Sequence, residues 1–167
     1  MHDHLGVDVS YVVANASAYA YLDDRRPSAG WLAKSNAVDP GDTTRIVFGP
    51  FSGARECTTY GTWPFGLANR PPYARRSSEA QLLRQATERP VTYLLSELDV
   101  RPPGGFFGSC AGMAQGTTRL ARGLAFVSYM AQLNHAPHKS IVIEACGHDP
   151  RCVYTADEAR AVLFPRR

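Results

Sequence analysis

Two side chains suited to moving protons, Asp99 and His148, each stand a few residues past the end of an apolar run. Val91-Thr92-Tyr93-Leu94-Leu95-Ser96 leads to the carboxylate, and Ile141-Val142-Ile143-Glu144-Ala145-Cys146-Gly147 leads to the imidazole. A histidine on a loop at a strand's carboxyl end can carry a proton between a nucleophile and a leaving group. A carboxylate facing its other nitrogen orients the ring and stabilises the imidazolium. Acid first and histidine second is the chain order of the last two members of a serine-acid-histidine relay. Glu97 is the alternative acid, but it sits so close to its strand that it has less reach over the lip of the sheet. No serine on a strand-turn-helix elbow precedes the pair, so this chain is expected to lack the nucleophile.

Three other groupings compete for a chemical role. Gly108-Ser109-Cys110-Ala111-Gly112 matches the elbow pattern with cysteine as nucleophile, which would make the protein a cysteine hydrolase. An elbow needs a strand directly before it, and Pro102-Pro103-Gly104-Gly105 stands there instead, so a structural or disulfide-bonded Cys110 fits better. Ser17, in Asn15-Ala16-Ser17-Ala18-Tyr19, lacks flanking glycines and reads as a loop or capping serine near the site's rim. Cys146, His148 and Cys152, or His2, Asp3 and His4, contain metal-binding residue types. Neither set has the paired spacing of a zinc site, and no metal or other cofactor is expected.

The elements that must position these residues follow from periodicity. Val7 to Ala14 reads as a first strand, 91 to 96 as a second and Ser140 to Ala145 as a third. Ser78 to Glu88 reads as a helix capped by Ser77 or Ser78, with Leu82, Leu83 and Ala86 on one face. Thr117 to Leu133 is the strongest helix, with Leu120, Leu124, Val127 and Ala131 recurring at intervals of three and four. Asp157 to Leu163 forms a last helix, ended by Pro165. Alternating apolar strands and helices predict an α/β fold built on a three-stranded parallel sheet. Residues 16 to 76 show little periodicity and predict a long loop-rich insertion, lid-like in a single domain spanning 1–167. Its aromatics, from Tyr19 to Phe65, can wall a pocket or pack a satellite core.

Bulk properties narrow the class. The chain has 167 residues, enough for one domain with a real core, and a net charge of +3 spread along its length. That mild basic bias is not a nucleic-acid signature. No apolar run approaches the roughly 20 residues of a membrane span. Met1-His2-Asp3-His4 begins no signal peptide, which leaves the compartment open. Four cysteines, Cys57, Cys110, Cys146 and Cys152, permit two disulfides or four free thiols, according to compartment.

The chain also resembles the C-terminal portion of an α/β-hydrolase-fold protein of the serine-hydrolase, esterase-like kind. The resemblance rests on Tyr11-Val12-Val13-Ala14-Asn15 with Ser17, Tyr19 and Tyr21-Leu22; on Trp63-Pro64-Phe65-Gly66-Leu67; on Val91-Thr92-Tyr93-Leu94-Leu95; on Met113-Ala114-Gln115-Gly116 with Arg119, Leu120, Arg122 and Gly123; and on Gly147-His148. It implies that the three strands are the last three of an eight-stranded sheet, and that the nucleophile and oxyanion loop lie ahead of them in sequence absent here. It further implies hydrolysis of an ester or other acyl bond, with Asp99 and His148 as acid and base. In that family the acid's turn reads Gly-x-x-Asp, and Ser96 here replaces the residue that takes positive φ freely. The chain by itself is then expected to be inactive on a small ester-like substrate. A binding module derived from a hydrolase, or an oligomer that covers a bare sheet edge, are the other expectations.

Overall fold

A computed structural model describes residues 9–42, 45–133 and 136–165. Within them β1 (Tyr11–Ala14), β4 (Val91–Ser96) and β5 (His138–Ile143) form a parallel sheet in the order β1-β4-β5. Tyr11 pairs with Val91, Val91 with His138, and Ser96 with Ile143, so all three strands end on the same lip. Among the described residues no strand pairs with the outer edge of β1.

Side-chain alternation on β4 divides the interior into two layers, because successive residues of a strand point to opposite faces. Tyr93 and Leu95 join Tyr19, Tyr21, Leu120, Phe126, Tyr129 and Met130 on one face. Leu94 joins Ile143, Cys146, Val153 and Ala159 on the other. The first layer is roofed by α4 (Arg119–Ala131), the second by α5 (Pro150–Thr155) and α6 (Asp157–Leu163). Covering both faces is what a parallel sheet of such apolar strands requires.

Helix α4 comes close to the sheet where Gly123 faces Leu95. A Cβ on Gly123 would sit 2.3 Å from Leu95 Cδ2 and 3.1 Å from the Tyr19 hydroxyl, so only glycine permits this approach. The periodicity located the helix but not its full buried surface. Ala121, Arg122, Ala125, Phe126, Tyr129 and Met130 are buried as well as Leu120, whereas Ala131 is exposed. The helix is enclosed by the sheet on one side and by residues of 16–76 on another, so a single apolar stripe understates what it buries.

Boundaries shifted elsewhere for backbone reasons. The strand expected from Val7 begins at Tyr11, with residues 7 and 8 outside the described ones. The third strand starts at His138 rather than Ser140, because parallel pairing to Val91 needs backbone groups and accepts the polar His138-Lys139 pair. Helix α2 (Glu79–Glu88) follows Ser78, whose hydroxyl and Gln81 form a reciprocal capping box. Helix α5 had no periodic signal.

Residues 16–76 are not structureless. They carry β2 (Arg25–Pro27), α1 (Ala29–Leu32) and β3 (Phe48–Pro50), with β2 and β3 antiparallel, and a 3₁₀ turn at Ala74–Arg76. Arg26 organises them. Its guanidinium donates to the carbonyls of Asp23, Arg25, Tyr60 and Phe65 at 2.7–3.1 Å and stacks 4.3 Å over the Tyr21 ring. Gln115 adds a second tie, accepting from Tyr19 N at 2.9 Å and donating to Tyr19 O at 2.6 Å, as a neighbouring strand would. Carbonyl-rich loops satisfied by buried polar side chains leave no hydrophobic rhythm to read.

His138 gives the fold a pH response. Its Nε2 donates to the Ala86 carbonyl at 2.8 Å, so Nδ1 accepts from the Tyr93 hydroxyl at 3.0 Å. Burial lowers its pKa below the ordinary 6.5, with the Ala86 carbonyl acting in the opposite direction. The unfolded chain therefore binds the proton more readily than the folded one. The contribution is present in full above pH 6.5 and is lost as the pH falls through the lowered folded value. Thermal melts across that window should fall more steeply for the parent than for His138→Gln; parallel curves would contradict this assignment.

Candidate active site

Each strand of the sheet hands one chemical group to the common lip. Past β1, Asn15 takes φ +43°, a left-handed conformation that asparagine tolerates better than most residues. Its side chain accepts from Ser96 N at 2.9 Å and donates to Ser96 Oγ at 2.7 Å, clamping the ends of β1 and β4 together. Ser96 is fully buried and is not among the positive-φ residues, so the glycine of the resembling family is not needed here. From Ser96 the chain turns tightly, with Asp99 N donating back to Ser96 O at 3.1 Å.

That turn is fastened to the end of β5 and the loop after it by two backbone bonds and one side chain. Glu97 N donates to Ile143 O and Leu98 N to Cys146 O, while the Glu97 carboxylate accepts from Ala145 N at 2.9 Å. Glu97 is thereby committed to the loop's backbone and is not bonded to His148. Ala145 holds φ +54°, which for a residue with a Cβ costs about 1–2 kcal/mol. The Cys146–Cys152 disulfide then closes a short ring around His148, and Asp149 caps α5 through Arg151 N.

The two loops bring Asp99 and His148 together. Asp99 is 3% exposed, between exposed Leu98 and Val100, and its Oδ2 lies 2.8 Å from His148 Nδ1. A carboxylate only accepts, so in this contact Nδ1 is the protonated nitrogen. The His148 side chain is 51% exposed, and no described residue bonds its Nε2. An imidazole oriented through Nδ1 with Nε2 open is the arrangement of a general base in acyl transfer.

Two arginines that entered the resemblance without an assigned role lie behind the pair, one bonded to Asp99 and the other to the Ser17 loop. Arg119 Nη1 is 3.4 Å from Asp99 Oδ1, and its Nε donates to Ser17 Oγ at 2.9 Å. Arg122 is completely buried, donating to Ser17 O at 2.6 Å and Gly116 O at 2.8 Å. Burial, aided by the Arg119 charge, pushes its pKa down to about 10. Charged residues in the first turn and a half of an otherwise apolar helix were the available signal, since arginine is seldom fully buried unless partnered.

None of the alternative nucleophiles reaches His148. Cys110 is bonded to Cys57, with Cα atoms 5.8 Å apart, and among the described residues there is no free cysteine. A 3₁₀ turn, Gly105–Gly108, precedes Cys110 where an elbow would need a strand. Ser17 Oγ is held by Arg119, and Ser96 Oγ by Asn15. No group of three or more His, Cys, Asp or Glu gathers as a metal site among the described residues; His2, Asp3 and His4 lie outside them. No helix of the described residues is long and apolar enough to cross a membrane.

An apolar cavity of about 520 Å³ opens elsewhere, lined by Tyr11, Val91 and His138 at the strands' amino ends and by Trp63, Leu67 and Tyr73. Neither Asp99 nor His148 touches it.

No family model matches the chain, and no curated protein does. Two solved structures resemble it. Poly(aspartic acid) hydrolase-1 from Sphingomonas sp. KT-1 aligns at 22% identity and TM-score 0.50, over 85% of this chain and 40% of that one. LpqC, a poly(3-hydroxybutyrate) depolymerase from Bordetella parapertussis, aligns at 17% identity and TM-score 0.52, over 95% of this chain and 42% of that one. The chain thus spans about two-fifths of the length of either neighbour. Its fold is α/β, with a three-stranded parallel sheet and flanking helices, and similar to the folds of these hydrolases.

Proposed function

We propose that this chain supplies the acid and base of a serine-type hydrolase, acting on a carboxylic ester or other acyl bond. Asp99 orients His148, and His148 Nε2 activates a serine contributed by sequence outside these 167 residues. The chain is in this reading a single partial domain, equivalent to the C-terminal half of an α/β-hydrolase. The observation that carries the proposal is the 2.8 Å contact between a buried carboxylate and a half-exposed imidazole at one lip of a parallel sheet. That no strand among the described residues pairs with the outer edge of β1, and that Ser17, Ser96 and Cys110 are engaged elsewhere, support a nucleophile from beyond them. Both structural neighbours are named for cleaving a polymer, which suits a histidine open at the surface rather than one sealed in a pocket.

In the mechanism, the serine hydroxyl attacks the acyl carbon as its proton passes to His148 Nε2. The ring's new charge is stabilised by Asp99 through Nδ1–H. His148 then returns the proton to the leaving oxygen or nitrogen, and a water repeats the sequence on the acyl-serine. The 167-residue chain by itself should not turn over p-nitrophenyl acetate above buffer or take up a fluorophosphonate probe. Nitrogen-15 spectra should show His148 protonated at Nδ1, and Asp99→Asn should abolish that preference. Labelling of the isolated chain at Ser17 would refute the external serine. Protonation of His148 at Nε2 in the parent would refute the acid–base pair itself.

A second reading, a binding module that keeps the scaffold without the chemistry, draws on the cavity at the opposite end of the sheet. It predicts binding of an apolar probe there that is unaffected by Asp99→Asn.

A further inference from the structure

We infer that Arg119 is the positioning residue for the acid of this pair, an assignment that rests on the acid–base reading above. A carboxylate attached through a broad, two-fold terminal torsion does not choose by itself which oxygen faces the imidazole. Asp99 has two oxygens with separate partners: Oδ2 with His148 Nδ1 at 2.8 Å and Oδ1 with Arg119 Nη1 at 3.4 Å. Occupying the second oxygen fixes the plane of the carboxylate, and that plane sets the direction of the bond to the ring.

Arg119 is itself held from the other side. Its Nε donates to Ser17 Oγ at 2.9 Å, so one guanidinium links the loop after β1 to the loop after β4. Its backbone is the first residue of α4, whose next amide, Leu120 N, donates to the Asp99 carbonyl at 3.3 Å. Main chain and side chain of the same helical turn therefore grip the same aspartate. The side chain is 19% exposed and two of its nitrogens are committed inside the protein, which makes it a poor substrate contact and a good brace. A planar fork does this where a point charge does not, because two donors in fixed geometry bind two acceptors at once. Its charge also compensates a carboxylate that is almost wholly withdrawn from water.

The test uses the intact chain labelled with nitrogen-15 in its histidines. His148 is identified by the signal lost in His148→Gln, and His138 serves as an internal report on the fold. In the parent, His148 should be a single Nδ1–H tautomer with a slowly exchanging, downfield Nδ1 proton. In Arg119→Met that proton should be lost to exchange and the ring should become a mixture of tautomers, with the His138 signals unchanged. Arg119→Lys, which keeps the charge but not the fork, should recover the tautomer only in part, and Ser17→Ala should weaken it to an intermediate degree.

An unchanged His148 spectrum in Arg119→Met, with His138 also unchanged, would overturn the role of Arg119. If Arg119→Met does not fold, shown by loss of the His138 signals, the other two variants decide. A parent-like His148 spectrum in both would overturn the proposal equally. A parent already protonated at Nε2 would instead remove the acid–base reading, so the two failures are distinguishable.

Discussion

Arg122→Met is expected to destabilise the chain by about 3 kcal/mol. The guanidinium has no solvent exposure and donates to the carbonyls of Ser17 and Gly116 at 2.6 and 2.8 Å. A hydrogen bond from a charged donor contributes about 1.5–3 kcal/mol. Losing both takes the donor from the buried Gly116 carbonyl and the part-buried Ser17 carbonyl, and the relief of returning a buried charge to water offsets only part of that. Methionine fills much of the volume, which separates the polar loss from a cavity effect. Urea denaturation should show the midpoint falling with an unchanged slope; a variant as stable as the parent would mean that water readily replaces the guanidinium. Ser17 lies on the rim of the site, so the same substitution should also broaden the resonances of the Ser17 loop.

The second large effect concerns the long cross-link. Cys57 and Cys110 are separated by 53 residues, and closing a loop of that length restricts the unfolded chain by about 4 kcal/mol on a chain-entropy model. The bond ties the insertion to the short helix that follows the Gly105–Gly108 turn, around a satellite cluster of Phe65 and Ala111. For a domain whose whole stability is on the order of 5–15 kcal/mol, losing it approaches unfolding at body temperature. The Cys57→Ser and Cys110→Ser double variant should therefore melt far below the parent. The Cys146→Ser and Cys152→Ser pair, which opens a ring with a separation of only 6, should cost about half as much. Its larger consequence should be mobility of the His148 turn. Equal losses from both pairs would contradict the loop-length argument.

What could be read in the sequence divides along a physical line. Tyr93, Leu94 and Leu95 announce a central strand because both faces of it are buried, and Leu120 with its neighbours announces α4 because one side of it is. The meeting of Asp99 and His148, though not its use, was legible because each closes an apolar run with a loop, where a side chain can reach over the lip. Arg26 was not legible, and Gln115 entered only with the resemblance, with no role attached. Their work is to satisfy loop carbonyls, a task that leaves no period in the chain and depends on which carbonyls folding brings near. Asn15 and Arg119 likewise entered with the resemblance, but their tasks did not. Each bonds to a residue about 80 to 100 positions away, at Ser96 and Ser17 respectively, and such partners are invisible until the sheet exists. The cysteines were undecided for a related reason, since even numbers do not reveal pairing.

Because the Arg122 charge is sealed away from water, its bonds should be nearly indifferent to ionic strength. Mobile ions weaken attractions between exposed charges, but they cannot enter a site with no accessible surface. Raising sodium chloride should therefore erode an exposed pair such as Arg160–Asp157 while the grip on the Ser17 loop stays as it was. The rim beside His148 should keep its shape in brine as in dilute buffer.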